Sequence, residues 1–195
     1  DVPGEDDLPR RRIVVQMWYP AVATADAEPV VWHPDWKPVG AEMAERLGFP
    51  RFFLSHLVGV EGTAAVDAEP LSGAFPVIVY SHGWTGFRSI ALDQMETLAS
   101  EGYLVIAADH TYGAIATVFP DTGELVPLDP LALPEEDDAS YTEAAQALVG
   151  TFADDVTLIL DALQGDASLE ITASGGLCAP LTPILPARNS RSSVE

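Results

Sequence analysis

A polar, glycine-rich segment of the sequence, Ser81-His82-Gly83-Trp84-Thr85-Gly86, directly follows the apolar run Val77–Tyr80. A short, continuous apolar run bounded by turn residues predicts a strand buried on both faces. We therefore expect the glycine-rich segment at the carboxyl end of that strand, the edge of open α/β sheets where ligands bind. A glycine there allows a tight turn and leaves backbone N–H groups free to face a substrate oxygen.

The residues after this loop predict a helix and a second buried strand. Apolar side chains recur at near-helical spacing over Ser89–Gly102, and Tyr103–Ala108 is another continuous apolar run that ends in Asp109-His110. Strand, loop, helix and strand form a βαβ unit, which implies parallel strands and a right-handed crossover. The predicted fold class is α/β, with a mostly parallel sheet and flanking helices, and His110 is expected near the same sheet edge as the loop.

Simpler patterns predict the other elements. Strands are expected at Ile13–Tyr19 and within Gly59–Pro70, loops at Ala21–Pro38 and Thr111–Pro134 with a turn at Phe119–Gly123, and helices at Ala41–Leu47 and Tyr141–Leu163. The apolar face of the last helix is predicted to consist of Leu148, Phe152, Val156, Ile159, Leu160 and Leu163.

Composition excludes several classes of protein. The 195 residues carry a formal net charge of −21, which argues against nucleic-acid binding through a basic surface. No run of about 18 apolar residues predicts a membrane span. The single cysteine, Cys178, allows no internal disulfide. The oligomeric state and the compartment stay open.

An ordered set of segments resembles the platelet-activating factor acetylhydrolase (plasma type, isoform II) family of α/β-hydrolases. The resemblance covers about residues 10 to 165, and the segments that carry it are Arg12–Pro20, Phe53–Leu57, Phe75–Arg88, Leu98–His110, Thr117–Asp121 and Ala153–Asp161. It implies a serine carboxylic-ester hydrolase that acts on small-molecule or lipid esters, especially short or oxidised acyl esters of phospholipids. It implies no metal and no organic cofactor. A dienelactone-hydrolase-like or polyester esterase is the alternative within the same fold.

The resemblance also implies roles for residues of the loop. The backbone N–H of Trp84 is expected to form half of an oxyanion hole, while His82, Gly83, Thr85 and His110 are expected around the substrate pocket. His82 is interpreted mainly as a structural residue that holds the loop. For His110, capping of a loop is an alternative to lining the pocket.

The nucleophile of the family is expected in a Gly-x-Ser-x-Gly turn, which this sequence does not contain. The nearest segment is Thr172–Gly176, so Ser174 is a weak candidate nucleophile. The four histidines all precede Ser174, whereas the hydrolase order places the histidine last. We therefore expect the N-terminal half of a hydrolase that lacks the catalytic triad. The alternative from another class is a non-catalytic fragment or pseudoenzyme.

The composition also divides the chain. Residues 171–195 carry one acidic and two basic residues, against 29 acidic and 7 basic residues in 1–170. The predicted organisation is a flexible arm at 1–9, a partial α/β-hydrolase domain at 10–170 and a non-native-looking, irregular or disordered tail at 171–195.

Overall fold

The computed structural model describes residues 11–22, 27–134, 139–165 and 178–180. Ser174, the predicted arm and all of the predicted tail except residues 178–180 lie outside the described residues. The elements in chain order are β1 (Val14–Trp18), β2 (Pro29–Val31), α1 (Trp36–Arg46), β3 (Glu61–Val66), β4 (Val77–Ser81), α2 (Leu92–Ser100), β5 (Leu104–Asp109), β6 (Ala116–Val118), β7 (Leu125–Pro127), α3 (Tyr141–Gln164) and β8 (Cys178–Pro180).

The main sheet has the strand order β2-β3-β8-β1-β5-β4, and β6 pairs with β7 in a separate hairpin. The predicted βαβ unit is present, since β4 and β5 are parallel neighbours joined through α2, with Val77 opposite Leu104 and Ser81 opposite Ala108. The α/β fold class is confirmed. The sheet is mixed rather than mostly parallel, because β1 runs antiparallel to β5 and β3 runs antiparallel to both β2 and β8.

Strand β5 lies at the centre of the packing. Val105 and Ala107 pack with α2 in one core cluster, whereas Ile106 and Ala108 pack with Ile159 of α3 in another. Successive residues of a strand point to opposite faces of the sheet. Helices therefore cover β5 on both faces, and its carboxyl end, with Asp109 and His110, is held in a fixed position.

Strand β4 is the terminal strand of the described sheet, and the expectation that it is buried on both faces is wrong. Val77 is 45% exposed, and the side chains from Ile78 to Tyr80 are only partly buried. The apolar run matches that of a central strand, but burial depends on neighbours that the local sequence does not specify.

The segment Ala21–Pro38 was predicted as a loop because of its prolines, but it contains parts of two regular elements. Strand β2 and the first turn of α1 both lie within Ala21–Pro38, so α1 begins five residues before the predicted start at Ala41. Pro38 is the third residue of α1, where a proline is tolerated because the first backbone N–H groups of a helix have no intrahelical acceptor.

The predicted turn at Phe119–Gly123 is present and joins β6 to β7, with Gly123 N–H donating to the Phe119 carbonyl at 2.7 Å.

Helix α3 begins at the predicted residue, Tyr141, and ends at Gln164. Gly165 follows with φ of 80°, the left-handed conformation that commonly ends helices. Within the described part of the chain, no helix combines the length and the low polarity needed to cross a membrane.

Candidate active site

The loop after β4 is held by bonds to the carbonyl of Gly83. The Nδ1–H of His82 donates to this oxygen at 2.8 Å, and the backbone N–H of Gly86 donates to it at 2.9 Å. The Nε2 of His82 accepts the backbone N–H of His110 at 3.2 Å. Because a backbone N–H can only donate, Nε2 carries no proton and His82 is neutral, with its hydrogen on Nδ1. Burial lowers the pKa of His82, which favours the same neutral form.

These bonds determine where the Trp84 N–H points. The peptide between Gly83 and Trp84 is trans, so its C=O and N–H groups point in opposite directions. The carbonyl is turned into the loop towards His82 and Gly86, and the Trp84 N–H is therefore turned out of the loop. Among the described residues, no group accepts a hydrogen bond from this N–H. Within the part of the chain that the structure describes, this N–H is therefore available to bind an oxygen of a ligand.

The far side of the loop is tightly fixed. Thr85 has φ of 67°, a left-handed conformation that is unusual for a threonine, and its N–H donates to the Gly113 carbonyl at 3.0 Å. Gly86 lies so close to His82 that an added Cβ would stand 2.8 Å from the His82 Cβ. Beyond the loop, the backbone N–H of Arg88 donates to the buried Asp109 carboxylate at 2.7 Å, and the Arg88 guanidinium pairs with the same group. The loop is thus anchored to the end of β5.

A cavity of about 460 Å³ opens between this loop and α3. Its polar end consists of Ser81, His82, Gly83 and Trp84, and its apolar wall is formed by Leu133, Ala145, Leu148, Val149, Phe152, Ala153 and Val156. The volume lies within the range of about 300–1,000 Å³ that is usual for small-molecule sites. An apolar wall with a small polar end suits a ligand that joins a hydrocarbon part to a polar group.

Behind the cavity, three side chains form a hydrogen-bonded series. Ser81 Oγ lies 2.8 Å from His110 Nε2, and His110 Nδ1 lies 2.8 Å from Asp155 Oδ2. Arg11 pairs with both oxygens of Asp155 and places its Nη2 2.6 Å from Oδ2. Burial alone would raise the pKa of Asp155, but the Arg11 and His110 contacts outweigh it and keep the pKa below its ordinary value.

Three of the six predicted site residues line the cavity. His82, Gly83 and Trp84 line the cavity, and His82 holds the loop as interpreted from the sequence. Thr85 and His110 do not line it: Thr85 fixes the turn, and His110 is fully buried behind Ser81. Ser174 lies outside the described residues.

Sequence reasoning missed Arg11, Asp155 and the hydroxyl of Ser81. Asp155 is three residues after Phe152 and four before Ile159, so it lies on the buried face of α3 and is only 1% exposed. The sequence did contain a signal: Asp155 falls at a position of the apolar face of the helix. A charged residue is rarely buried without a partner, so this position indicated a paired carboxylate.

Comparison with known proteins identifies the family. Residues 4–133 match the family described as platelet-activating factor acetylhydrolase, isoform II. This chain belongs to that family. The matched residues include the loop, both histidines of the site and β1 to β7, whereas α3, with Asp155 and most of the apolar wall, follows them.

Two further proteins are similar to the chain. A protein of Schizosaccharomyces pombe described as "Putative phospholipase A2" is 31% identical over 108 residues, which are 51% of this chain and 24% of that protein. The structure of a ferulic acid esterase from Streptomyces cinnamoneus superposes with a TM-score of 0.54 and 28% identity, over 76% of this chain and 38% of the esterase. The chain therefore spans about a quarter of the length of the Schizosaccharomyces pombe protein and about two fifths of the length of the esterase.

Proposed function

We propose that this chain takes part in the hydrolysis of carboxylic esters, with acyl esters of lipids as the leading substrate class. Membership of the acetylhydrolase family supports the reaction type. One observation carries the proposal: the free Trp84 N–H belongs to a loop that forms the polar end of an apolar cavity. An ester whose acyl chain lies in this cavity can place its carbonyl oxygen at that N–H.

The N–H would act most strongly on the transition state. Attack on an ester carbonyl carbon moves negative charge onto the carbonyl oxygen, and a prearranged donor stabilises that charge. The loop is prearranged, because His82 and Gly86 bind the opposite side of the same peptide. Loss of one donor of this kind typically costs about 100- to 1,000-fold in kcat.

The cavity wall and the overall charge bear on the substrate class. The wall formed by α3 offers Leu148, Val149, Phe152 and Val156 to a hydrocarbon chain. The net charge of −21 disfavours strongly anionic substrates and is compatible with neutral or zwitterionic esters. A short or oxidised acyl chain on a phospholipid meets both conditions. The names of the two relatives, a phospholipase A2 and a ferulic acid esterase, also describe ester chemistry.

The test is hydrolysis of a series of p-nitrophenyl esters by the purified chain, from acetate to octanoate, with methyl ferulate as an aromatic ester. We expect turnover of the acyl esters, with kcat/KM higher for a short apolar chain such as butyrate than for acetate or octanoate. Leu148→Glu, on the cavity wall, is expected to remove this preference. Leu160→Glu is the matched control, because Leu160 is on the same helix, 39% exposed and away from the cavity.

Other outcomes would favour other functions. A clear preference for methyl ferulate would replace the lipid substrate class with aromatic esters. Turnover of polyester or lactone substrates alone would favour the polyester-esterase or dienelactone-hydrolase-like alternative. No turnover above the buffer rate with any ester would contradict catalysis by this chain and favour a non-catalytic fragment or pseudoenzyme.

A further inference from the structure

The Ser81 hydroxyl lies at the polar end of the cavity and has a single hydrogen-bond partner among the described residues. Ser81 is the last residue of β4, it is exposed, and it lines the cavity beside His82, Gly83 and Trp84. Its Oγ lies 2.8 Å from Nε2 of the fully buried His110. This contact uses one side of the hydroxyl and leaves the remainder open to the cavity.

The partners of Asp155 determine where the hydrogen of the Ser81 hydroxyl points. The Asp155 carboxylate accepts two hydrogen bonds from Arg11 and a third from His110, and an ionised carboxylate can only accept. The hydrogen of neutral His110 is therefore on Nδ1, and its Nε2 carries a lone pair, to which Ser81 donates. A hydroxyl has one hydrogen and two lone pairs, so Oγ offers the cavity an acceptor and no donor.

The direction of this hydroxyl does not depend on what occupies the cavity. The Phe152 ring lines the cavity and stacks on the His110 ring at 3.9 Å between centroids, so it separates the imidazole from a ligand. The bond to Asp155 holds the other edge of the imidazole. A ligand therefore meets Ser81 with its hydrogen already bound elsewhere.

The polar end of the cavity thus pairs one donor with one acceptor. The Trp84 N–H can bind an oxygen, and Ser81 Oγ can bind an O–H or N–H group. The apolar wall suits the hydrocarbon part of a ligand, so the polar end receives the carbonyl and the atoms on its other side. In an ester, those atoms belong to the alcohol part.

We propose that Ser81 is a specificity-determining residue whose Oγ accepts a hydrogen bond from the alcohol part of the ester. The substrate class is then esters that keep a free hydroxyl beside the esterified oxygen, such as monoesters of vicinal diols. This proposal rests on the ester-hydrolase function proposed above. An ester or ether at the neighbouring oxygen has no hydrogen to donate, so it leaves Oγ without a ligand partner. One such hydrogen bond is typically worth about a 2- to 10-fold change in affinity.

The first test measures binding and needs no turnover. Butyramide and methyl propyl ketone share a carbonyl and a shape, but only the amide has N–H groups beside the carbonyl. Both are titrated into the purified 195-residue chain by NMR. Because an amide is also more strongly hydrated, the informative quantity is the change in the amide-to-ketone affinity ratio on Ser81→Ala. We expect this ratio to fall by about 2- to 10-fold, and to stay at the parent value in Ser72→Ala, at an exposed loop serine. An unchanged ratio in Ser81→Ala, or no binding of either ligand, would overturn the proposal.

The second test measures turnover and separates this proposal from the previous one. Ethylene glycol monobutyrate carries the free hydroxyl, and its methyl ether lacks only that donor. We expect kcat/KM to be about 2- to 10-fold higher for the monobutyrate, and Ser81→Ala to equalise the two esters. Turnover of both esters with a ratio that Ser81→Ala leaves unchanged would keep the hydrolase function and overturn the role of Ser81. A binding ratio that depends on Ser81, without turnover of any ester, would keep the acceptor and contradict the hydrolase function. Thermal unfolding of each variant shows whether a lost preference reflects the hydroxyl or lost folding.

Discussion

The Nδ1–H of His82 donates to the carbonyl oxygen of Gly83 at 2.8 Å, and this bond turns the opposite side of the peptide, the Trp84 N–H, out of the loop. His82 itself neither binds a substrate oxygen nor moves a proton. It controls the direction of the Trp84 N–H, which is the group proposed to bind that oxygen. His82 is itself fixed by the His110 backbone N–H, so the end of β5 determines the shape of the loop after β4.

The first prediction concerns pH. Burial lowers the pKa of His82 and outweighs the hydrogen bond to the Gly83 carbonyl and the charges of Asp109 and Asp155, which act in the opposite direction. Below about pH 6.5, His82 binds a proton more readily in the unfolded chain than in the folded chain. The free energy of unfolding therefore decreases as pH falls. The loss should approach about 1.4 kcal/mol per pH unit for this group. Urea unfolding at pH 5 to 7.5 measures it.

The control for the pH effect is His82→Asn, which can still donate to Gly83 but does not titrate. Because 30 acidic residues also respond to pH, the informative quantity is the difference in slope between the parent and this variant. Equal slopes would contradict a lowered pKa at His82. His33, whose pKa is also lowered by burial, contributes equally to both proteins and cancels.

The second prediction compares the aspartates that pair with two consecutive arginines. Asp155 is buried against Arg11, whereas Asp121 pairs with Arg12 and both of those side chains are well exposed to solvent. Asp155→Asn should lower the free energy of unfolding by about 3 kcal/mol, because it removes the charge of a buried carboxylate that pairs with the partly exposed Arg11 and with His110. Asp121→Asn should cost about 1 kcal/mol or less. Similar costs in urea unfolding would contradict the buried role of Asp155.

The third prediction compares two glycines of the loop. Gly86→Ala would place its Cβ 2.8 Å from the His82 Cβ and 3.0 Å from the Gly83 oxygen, so the loop must shift. We expect a loss of about 1–3 kcal/mol in stability from this overpacking, together with reduced ester turnover. Gly83→Ala meets no atom within 4 Å and should change stability by about 0.5 kcal/mol or less. A more destabilising Gly83→Ala would contradict the described geometry.

Local patterns of the sequence were sufficient for the unit that carries the site. The two apolar runs predict β4 and β5, the helical spacing between them predicts α2, and the glycines predict the loop. These elements are consecutive in the chain, so the contacts between them are close in sequence. Strand β2 and the early start of α1 were missed, because prolines signal both loops and first helical turns.

The remainder of the site depends on distant contacts. Asp155 is buried against its partners Arg11 and His110. These partners are 144 and 45 residues away in sequence, so no local pattern specifies either pairing. The exposure of β4 likewise follows from its terminal position in the described sheet. The predicted division of the chain at residues 9 and 170 stays a prediction.

The most direct test of the central claim separates the Trp84 N–H from the Trp84 side chain. Trp84→Ala removes the indole and keeps the N–H, whereas Trp84→Pro removes both, since proline has no backbone N–H. With a p-nitrophenyl ester as substrate, we predict that Trp84→Pro lowers kcat by about 100- to 1,000-fold and that Trp84→Ala retains most of it, at equal thermal stability. Equal loss of kcat in both variants, or full kcat in Trp84→Pro, would contradict a transition-state role for this N–H.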